Sequence, residues 1–453
     1  MPENALQSPR FNAAIDSQEK RKIGFWTCIA LVVGNTIGVG IFLLPASLAP
    51  YGFNALIGWA IPLLGCLALA RVLSWLAKAL PHAEGPYGYI REALGELPAF
   101  AAMWAYWVSA WLTNAALAIG VVGYMQAVFP AVAGIRPALL ALGLIWPMVF
   151  INLLGVRTGG GVQIVTTALK LLPMLAIALL GGWVLITAPA SYASHLPATP
   201  ITPQGVLTAS TIALYAMLGF ESGSVPAARV DNPAVTIPRA TLIGTVLLAI
   251  IYMIVSTLPM LLVPQQELGA ATAPLSLLMD RFVGAGSGRW LALFVVISGV
   301  GCLNGWTFLV GELTRTMANN GVMPAVFARN NRHGAPTAAL LVTGMLASIM
   351  VAMNYSQGLV AAFTFVSLAV TAATLPLYLG CAMALIVLWR RRLNVQRSFD
   401  GLPAAIIGIV FVIFAFIGAG REPLLLAMVL VAVGLPLYAF MKLPRKGAGS
   451  PPA

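Results

Sequence analysis

The sequence predicts an all-α polytopic membrane protein of about 12 transmembrane helices, built around a 5+5 inverted repeat in which helices 1 and 6 are broken. Three observations lead there. Of 453 residues, 60% are hydrophobic and only 8% are charged, whereas soluble domains carry roughly 25% charged residues. The apolar residues gather in runs close to the roughly 20 residues that cross a bilayer. Two of those runs, five spans apart, carry the same glycine-rich interruption.

The chain opens with a polar tail, residues 1–24, that includes Arg10, Lys20, Arg21 and Lys22. The first apolar run has no small-residue cleavage site, so no cleavable signal peptide is expected. The expected spans are 25–49, 54–77, 99–128, 137–155, 161–187, 204–226, 240–263, 290–314, 336–353, 358–388, 402–420 and 423–441. Residues 25–388 would form a ten-helix inverted-repeat core. A loop at 389–401, helices 11 and 12 at 402–441 and a tail at 442–453 complete the organisation.

The basic residues fix a sidedness. On the side of the N-terminus lie the four tail residues, Lys78, Arg91, Arg157, Arg229, Arg239, Arg315, Arg329, Arg332, four arginines in 390–397, Lys442, Arg445 and Lys446. Only Arg136, Arg281, Arg289 and Arg421 lie opposite, while Arg71 and Lys170 fall inside spans. Cytoplasmic loops are the basic ones, so both termini are expected in the cytoplasm. The net charge of +12 is therefore a membrane signature. No basic stripe interleaved with aromatics and no nucleic-acid motif accompanies it, so no nucleic-acid partner is expected.

Cys28, Cys66, Cys302 and Cys381 all lie in apolar spans without paired spacing, which reads as core packing. His82, His195 and His333 stand alone in loops. No metal and no cofactor is expected. An intramembrane enzyme would need paired aspartates, a zinc motif or a nucleophile with its base; none is present, and a channel filter is missing too.

VGNTIGVGIF in span one places Gly34, Gly38 and Gly40 inside an apolar helix, with Pro45 beyond. LYAMLGFESGSVP in span six repeats the device with Gly219, Gly223 and Pro226. Non-helical backbone at membrane depth is tolerated where it lines a cavity or is buried in protein. Each half-helix then offers free amides at one end and free carbonyls at the other. The stretch Asn35, Thr36, Ile37, Gly38, Val39, Gly40 is thus a candidate binding element, its amides at Val39, Gly40 and Ile41 suited to a carboxylate. Span one alone would equally suit close helix packing through small residues; the matching break in span six favours a transport site.

GNTIGVGIFLLP, GPYGYIREALG, GFES, RVDNPAVTIPRA and GCLNGWTFLVGELTRTMANNGVMPAVFARNNRHGAP resemble the amino acid–polyamine–organocation transporters. Within them the chain is most similar to the bacterial basic amino acid/polyamine antiporter group, over about residues 22 to 440. The resemblance implies a LeuT-like fold and alternating access of an amino acid or amine across the cytoplasmic membrane, by exchange. Its partners would be that small-molecule substrate, the lipid bilayer and, through the last two spans, a second copy of the chain.

Glu221 stands at the span-six break, where an ionisable group is a functional candidate. Burial would let it release and rebind a proton, and the resemblance implies a role in pH response and in coupling substrate to gating. An ionised glutamate paired with a cationic substrate or a buried lysine, or a structural hydrogen bond between spans, are the alternatives. Lys170 lies deep in span five. The resemblance places its ammonium where sodium-driven relatives bind sodium, which implies sodium-independent transport and keeps a proton-coupled importer of neutral amino acids as the rival. Trp306 matches the tryptophan that stacks on substrate, and Tyr215 stands in for a gating tryptophan. Tyr106, Ser109 and Asn114 occupy matching positions in span three, Tyr106 as an outer gate and Asn114 at the distal end of the substrate. Ser367 in span ten is a candidate for the pocket wall. Val39 stands where the arginine/agmatine branch has serine, a lost hydroxyl worth about 1 kcal/mol, which turns attention to the side-chain pocket. Glu312, three residues before Arg315, reads as an intrahelical ion pair.

Overall fold

The protein is described by a computed structural model covering residues 25–80, 82–83, 85–155, 160–188, 196–219, 233–354, 356, 358–391 and 401–442. Its described residues are helical or in turns, with no strand among them. Span one is two helices, α1 (Phe25–Thr36) and α2 (Gly40–Leu48). There follow α3 (Asn54–Ala79), α4 (Gly85–Leu94), α5 (Glu96–Val128), α6 (Pro137–Leu153), α7 (Gly160–Thr187) and α8 (Pro203–Met217). The second half holds α9 (Pro233–Leu262), α10 (Gln265–Ala270), α11 (Pro274–Phe282), α12 (Ser287–Asn319), α13 (Thr337–Asn354) and α14 (Leu359–Arg390). Three more helices close the chain: α15 (Gly401–Gly418), α16 (Arg421–Ala432) and α17 (Gly434–Lys442).

Eight stretches are long and apolar enough to cross a membrane, and shorter apolar helices cover Gly40–Tyr51, Pro137–Leu153 and Thr337–Met353. With α8 as the described half of span six, every expected span has its helix. The 33 residues of α5 and of α12 make helices of roughly 50 Å at 1.5 Å per residue. A hydrocarbon core of about 30 Å leaves their ends standing outside it.

The packing pattern carries the repeat. Span one packs on span seven (α1 on α9), and span six packs on span two (α8 on α3). Span three packs on span ten, as span eight does on span five, and spans four and nine pack on each other. Exchanging each span of a pair for its counterpart in the other half (one for six, two for seven, and so on to five for ten) therefore returns another observed pair, as a two-fold relation between halves requires.

Three features depart from the sequence reading. Residues 85–94 and 264–289, expected as connections, contain α4, α10 and α11. These helices have 6 to 10 residues, too short for a search tuned to membrane thickness. Gly34 belongs to α1, so the break in span one is narrower than its glycines suggested. Span twelve divides at Val433 into α16 and α17.

Buried polar links tie the bundle together. Trp107 Nε1 on α5 donates to Thr314 Oγ1 on α12 at 2.7 Å, and Asn152 Nδ2 on α6 donates to Asn304 Oδ1 on α12 at 2.8 Å. Asn54 accepts from the Thr202 amide at 2.8 Å and donates to the carbonyls of Tyr51 and Pro200, joining the spans one–two and five–six connections. Glu312 pairs with Arg315 as expected. All four cysteines are buried and unbridged. Trp26, Trp183 and Trp290 are exposed on apolar spans, whereas Trp59 is buried.

Candidate transport site

The break in span one is three residues, Ile37 to Val39, between α1 and α2. Ile37 still donates to the Val33 carbonyl at 3.0 Å, so the ladder fails only beyond it. Val39 is the N-cap of α2 (φ −64°, ψ −23°). The amides of Val39, Gly40 and Ile41 thus occupy the positions that lack an intrahelical acceptor and carry the positive end of the helix dipole. Opposite, α8 ends at Met217, Leu218 is extended (ψ 145°), and Gly219 has φ 102°, a left-handed conformation that favours glycine. Both half-helices stop beside the same cavity. Glu221, Gly223 and Pro226 lie outside the described residues.

Six spans line the cavity, whose volume is about 30 Å³, roughly the share of one liquid water. The site is therefore contracted in this conformation. Spans one and six contribute Thr36, Gly38, Gly40 and Ile41, and Tyr215, Ala216 and Leu218. Span three adds Tyr106, Ser109, Thr113 and Leu117; Tyr252 comes from span seven, Trp306 from span eight, and Val370 and Thr374 from span ten.

The hydroxyls have a defined polarity. Ser109 Oγ donates to the Tyr106 carbonyl at 2.7 Å, Thr113 Oγ1 to the Ser109 carbonyl at 2.8 Å, and Thr374 Oγ1 to the Val370 carbonyl at 2.9 Å. Each proton is tied to its own helix, so the lone pairs that remain can only accept. Toward the cavity these walls on spans three and ten suit a group that donates, such as an ammonium. Trp306 adds an aromatic face of the kind that attracts cations.

Tyr215 closes one side. Its ring meets Phe363 edge to face at 5.7 Å and lies so close to Gly40 that a Cβ there would come within 2.5 Å of Tyr215 Cε1. Beyond this pair is a second space of about 600 Å³, lined by Ser47, Tyr51, Thr272, Thr364, Phe365 and Pro423 among others. Thr364 Oγ1 donates to Ser47 Oγ at 2.8 Å across it. Along α14 this vestibule takes residues up to 368 and the cavity begins at 370.

Of the residues expected from sequence, Thr36, Gly38, Gly40, Tyr106, Ser109, Tyr215 and Trp306 are brought together around the cavity. Others are not. The side chain of Ile37 is fully buried. Val39 points away, its methyls wedged against Gly120 of α5 and Gly299 of α12, where added Cβ atoms would lie 2.7 and 2.4 Å from them. Asn114 follows Ser109 by five residues, about 140° further round the helix; it is buried off the cavity, with Oδ1 unpartnered among the described residues. Ser367 is buried two turns above Thr374 and donates to the Thr364 carbonyl at 2.8 Å. Asn35 is the last-but-one residue of α1, directly before Thr36. Lys170 is buried on α7, which packs on α1 and α12. Tyr106 sits ten residues from the start of α5, on the half of the bundle nearest the chain's beginning. With the cytoplasmic termini expected from the charge pattern, Tyr106 would fall in the inner half of α5, and Tyr215 with Phe363 on the side of the vestibule.

The cavity residues that sequence reasoning missed are Thr113, Leu117, Ala216, Leu218, Tyr252, Val370 and Thr374. Thr113 was within reach, since Tyr106, Ser109, Thr113 and Leu117 follow i, i+3, i+7, i+11 on one helix face. Nothing in the sequence around Tyr252 marks it.

The break in span one and the end of α8 in span six meet at a small, largely apolar cavity with hydroxyls in its wall, the arrangement of a multi-pass membrane transporter of small molecules and not of an enzyme. The description "Amino acid permease" matches residues 23–437, and the chain belongs to that family. It is 29% identical over 429 residues to a cadaverine/lysine antiporter of Escherichia coli, covering 92% of this chain and 95% of that one. It is 28% identical over 427 residues to the putrescine transporter PotE of Haemophilus influenzae, covering 94% and 98%. Among solved structures, a manganese transporter of Eremococcus coleocola superposes with a TM-score of 0.50 at 15% identity, covering 92% of this chain and 95% of that one. That likeness is one of fold alone.

Proposed function

We propose that this protein exchanges amino acids for amines across the cytoplasmic membrane, independently of sodium and with both termini in the cytoplasm. The observation that carries the reading is the polarity of the cavity. Free amides at the start of α2 suit a carboxylate, while acceptor hydroxyls at Ser109, Thr113 and Thr374 and the Trp306 face suit an ammonium. The likeness to antiporters of cadaverine and lysine and to putrescine transporters supports the amine half. Buried Lys170, on the span that packs against spans one and eight, supports sodium independence, because an ammonium there competes with a bound cation. Glu221, three residues beyond Leu218 of the cavity wall, is assigned the coupling role.

The test is counterflow in proteoliposomes. Uptake of labelled L-lysine should require cadaverine or another amine inside, and should be unchanged when sodium is replaced by choline. Net uptake into empty vesicles driven by a proton gradient alone would overturn the exchanger. Lys170 favours that second reading, a proton-coupled importer of neutral amino acids, and it predicts that labelled leucine rather than lysine accumulates.

A further inference from the structure

We infer that the Tyr252 hydroxyl is a hydrogen-bond donor to the substrate carboxylate, so that span seven discriminates an amino acid from the amine left when that carboxylate is lost. This rests on the amino acid and amine reading above and names a residue which that reading does not need. Tyr252 lines the cavity from α9. It is fully buried, and its hydroxyl has no hydrogen-bond partner among the described residues. A buried hydroxyl in that condition is costly, and it is free to serve a ligand. Its ring is held against Trp59 at 5.9 Å between centroids, tilted by 57°, which fixes the ring on the cavity wall.

The surrounding chemistry assigns its partner. The hydroxyls of Ser109, Thr113 and Thr374 face the cavity as acceptors only, because each donates to its own helix. An ammonium is served by them. A carboxylate needs donors, and a phenol O–H to a carboxylate is a charge-assisted bond, stronger than a neutral one. Tyr252 therefore complements the amides at the N-terminus of α2, whereas toward an amine it could only accept, a capacity that Ser109, Thr113 and Thr374 already supply.

Ser256 supplies the control. It stands one turn further along α9, equally buried and with an equally unpartnered hydroxyl, but it does not line the cavity. The experiment measures the affinity of the purified full-length protein for matched pairs: L-lysine and cadaverine, L-ornithine and putrescine, L-leucine and isopentylamine. Tyr252→Phe keeps the ring and its contact with Trp59. It should weaken the amino acid of a pair by roughly tenfold and the amine by less than about twofold; Ser256→Ala should move neither. The readout is the ratio of two affinities within one variant, so a general loss of stability cancels. An unchanged ratio in Tyr252→Phe overturns the inference and leaves the transport reading standing. Failure of the wild type to bind any pair overturns both.

Discussion

Trp306 and Asn114 separate what the cavity does from what its neighbourhood suggested. Trp306 lines the cavity, and a cation over its face is worth about 0.5–2 kcal/mol. Trp306→Ala should therefore lower affinity for cadaverine by roughly 2- to 30-fold, measured by calorimetry, with Trp306→Phe in between. Asn114 lies off the cavity, so Asn114→Ala should leave ligand affinity unchanged, and a loss comparable to that of Ser109→Ala would show that it reaches the substrate. Glu221 makes a third prediction. If it exchanges a proton during the cycle, Glu221→Gln should flatten the pH dependence of counterflow, and an unaltered profile would remove it from coupling. These residues also show where reading the sequence succeeds. Types that are costly in a membrane, such as a mid-span tryptophan or a doubled glycine, announce themselves. Thr113 and Thr374 did not, because a threonine bonded to its own helix is ordinary in an apolar span and becomes significant only when its face is known.

At the scale of elements, the two broken spans were legible and their edges were not. Glycine marks where a helix can be left, but neighbouring packing decides where it is left. Gly34 stays helical in α1, while the actual break sets apolar Ile37 and Val39 on either side of Gly38. Gly40 was flagged for its freedom, yet its consequence is close approach: Tyr215 Cε1 occupies the place of a side chain. Gly40→Ala should push Tyr215 off the N-terminus of α2 and reduce both affinity and exchange, and shortening the ring's reach with Tyr215→Ala in the same chain should recover binding. Wild-type affinity in Gly40→Ala would mean that the close approach has no part in closure. The short helices α10 and α11 were illegible for another reason. Their stability comes from contacts outside their own pattern, including the two-oxygen clasp of Glu267 by Arg281 at 2.5 and 2.6 Å and the Gln265 bonds to the Ala49 carbonyl and Thr199.

For the whole molecule, composition and charge sidedness were sufficient to lay out the spans, because the bilayer imposes one length and one polarity on all of them. The pairing of halves needed the structure, since no sequence period reports that α1 meets α9 while α8 meets α3. The sidedness itself is testable. Single cysteines placed in the tails should be labelled by a membrane-impermeant maleimide only after the cells are opened, and one placed beside Arg136 should be labelled from outside. Labelling of the tails in intact cells would invert the assignment and with it the roles of Tyr106 and Tyr215 as inner and outer closures.

Val39 joins these scales. Its two methyls rest in sockets left by Gly120 and Gly299, and dispersion contact has no preferred direction. A peg held this way can turn in its sockets without breaking a bond, where a hydrogen-bonded strut would have to let go first. The junction between α1 and α2 is therefore a ball joint. It fixes where the amides at the start of α2 sit relative to spans three and eight while leaving the angle between the two half-helices open to change.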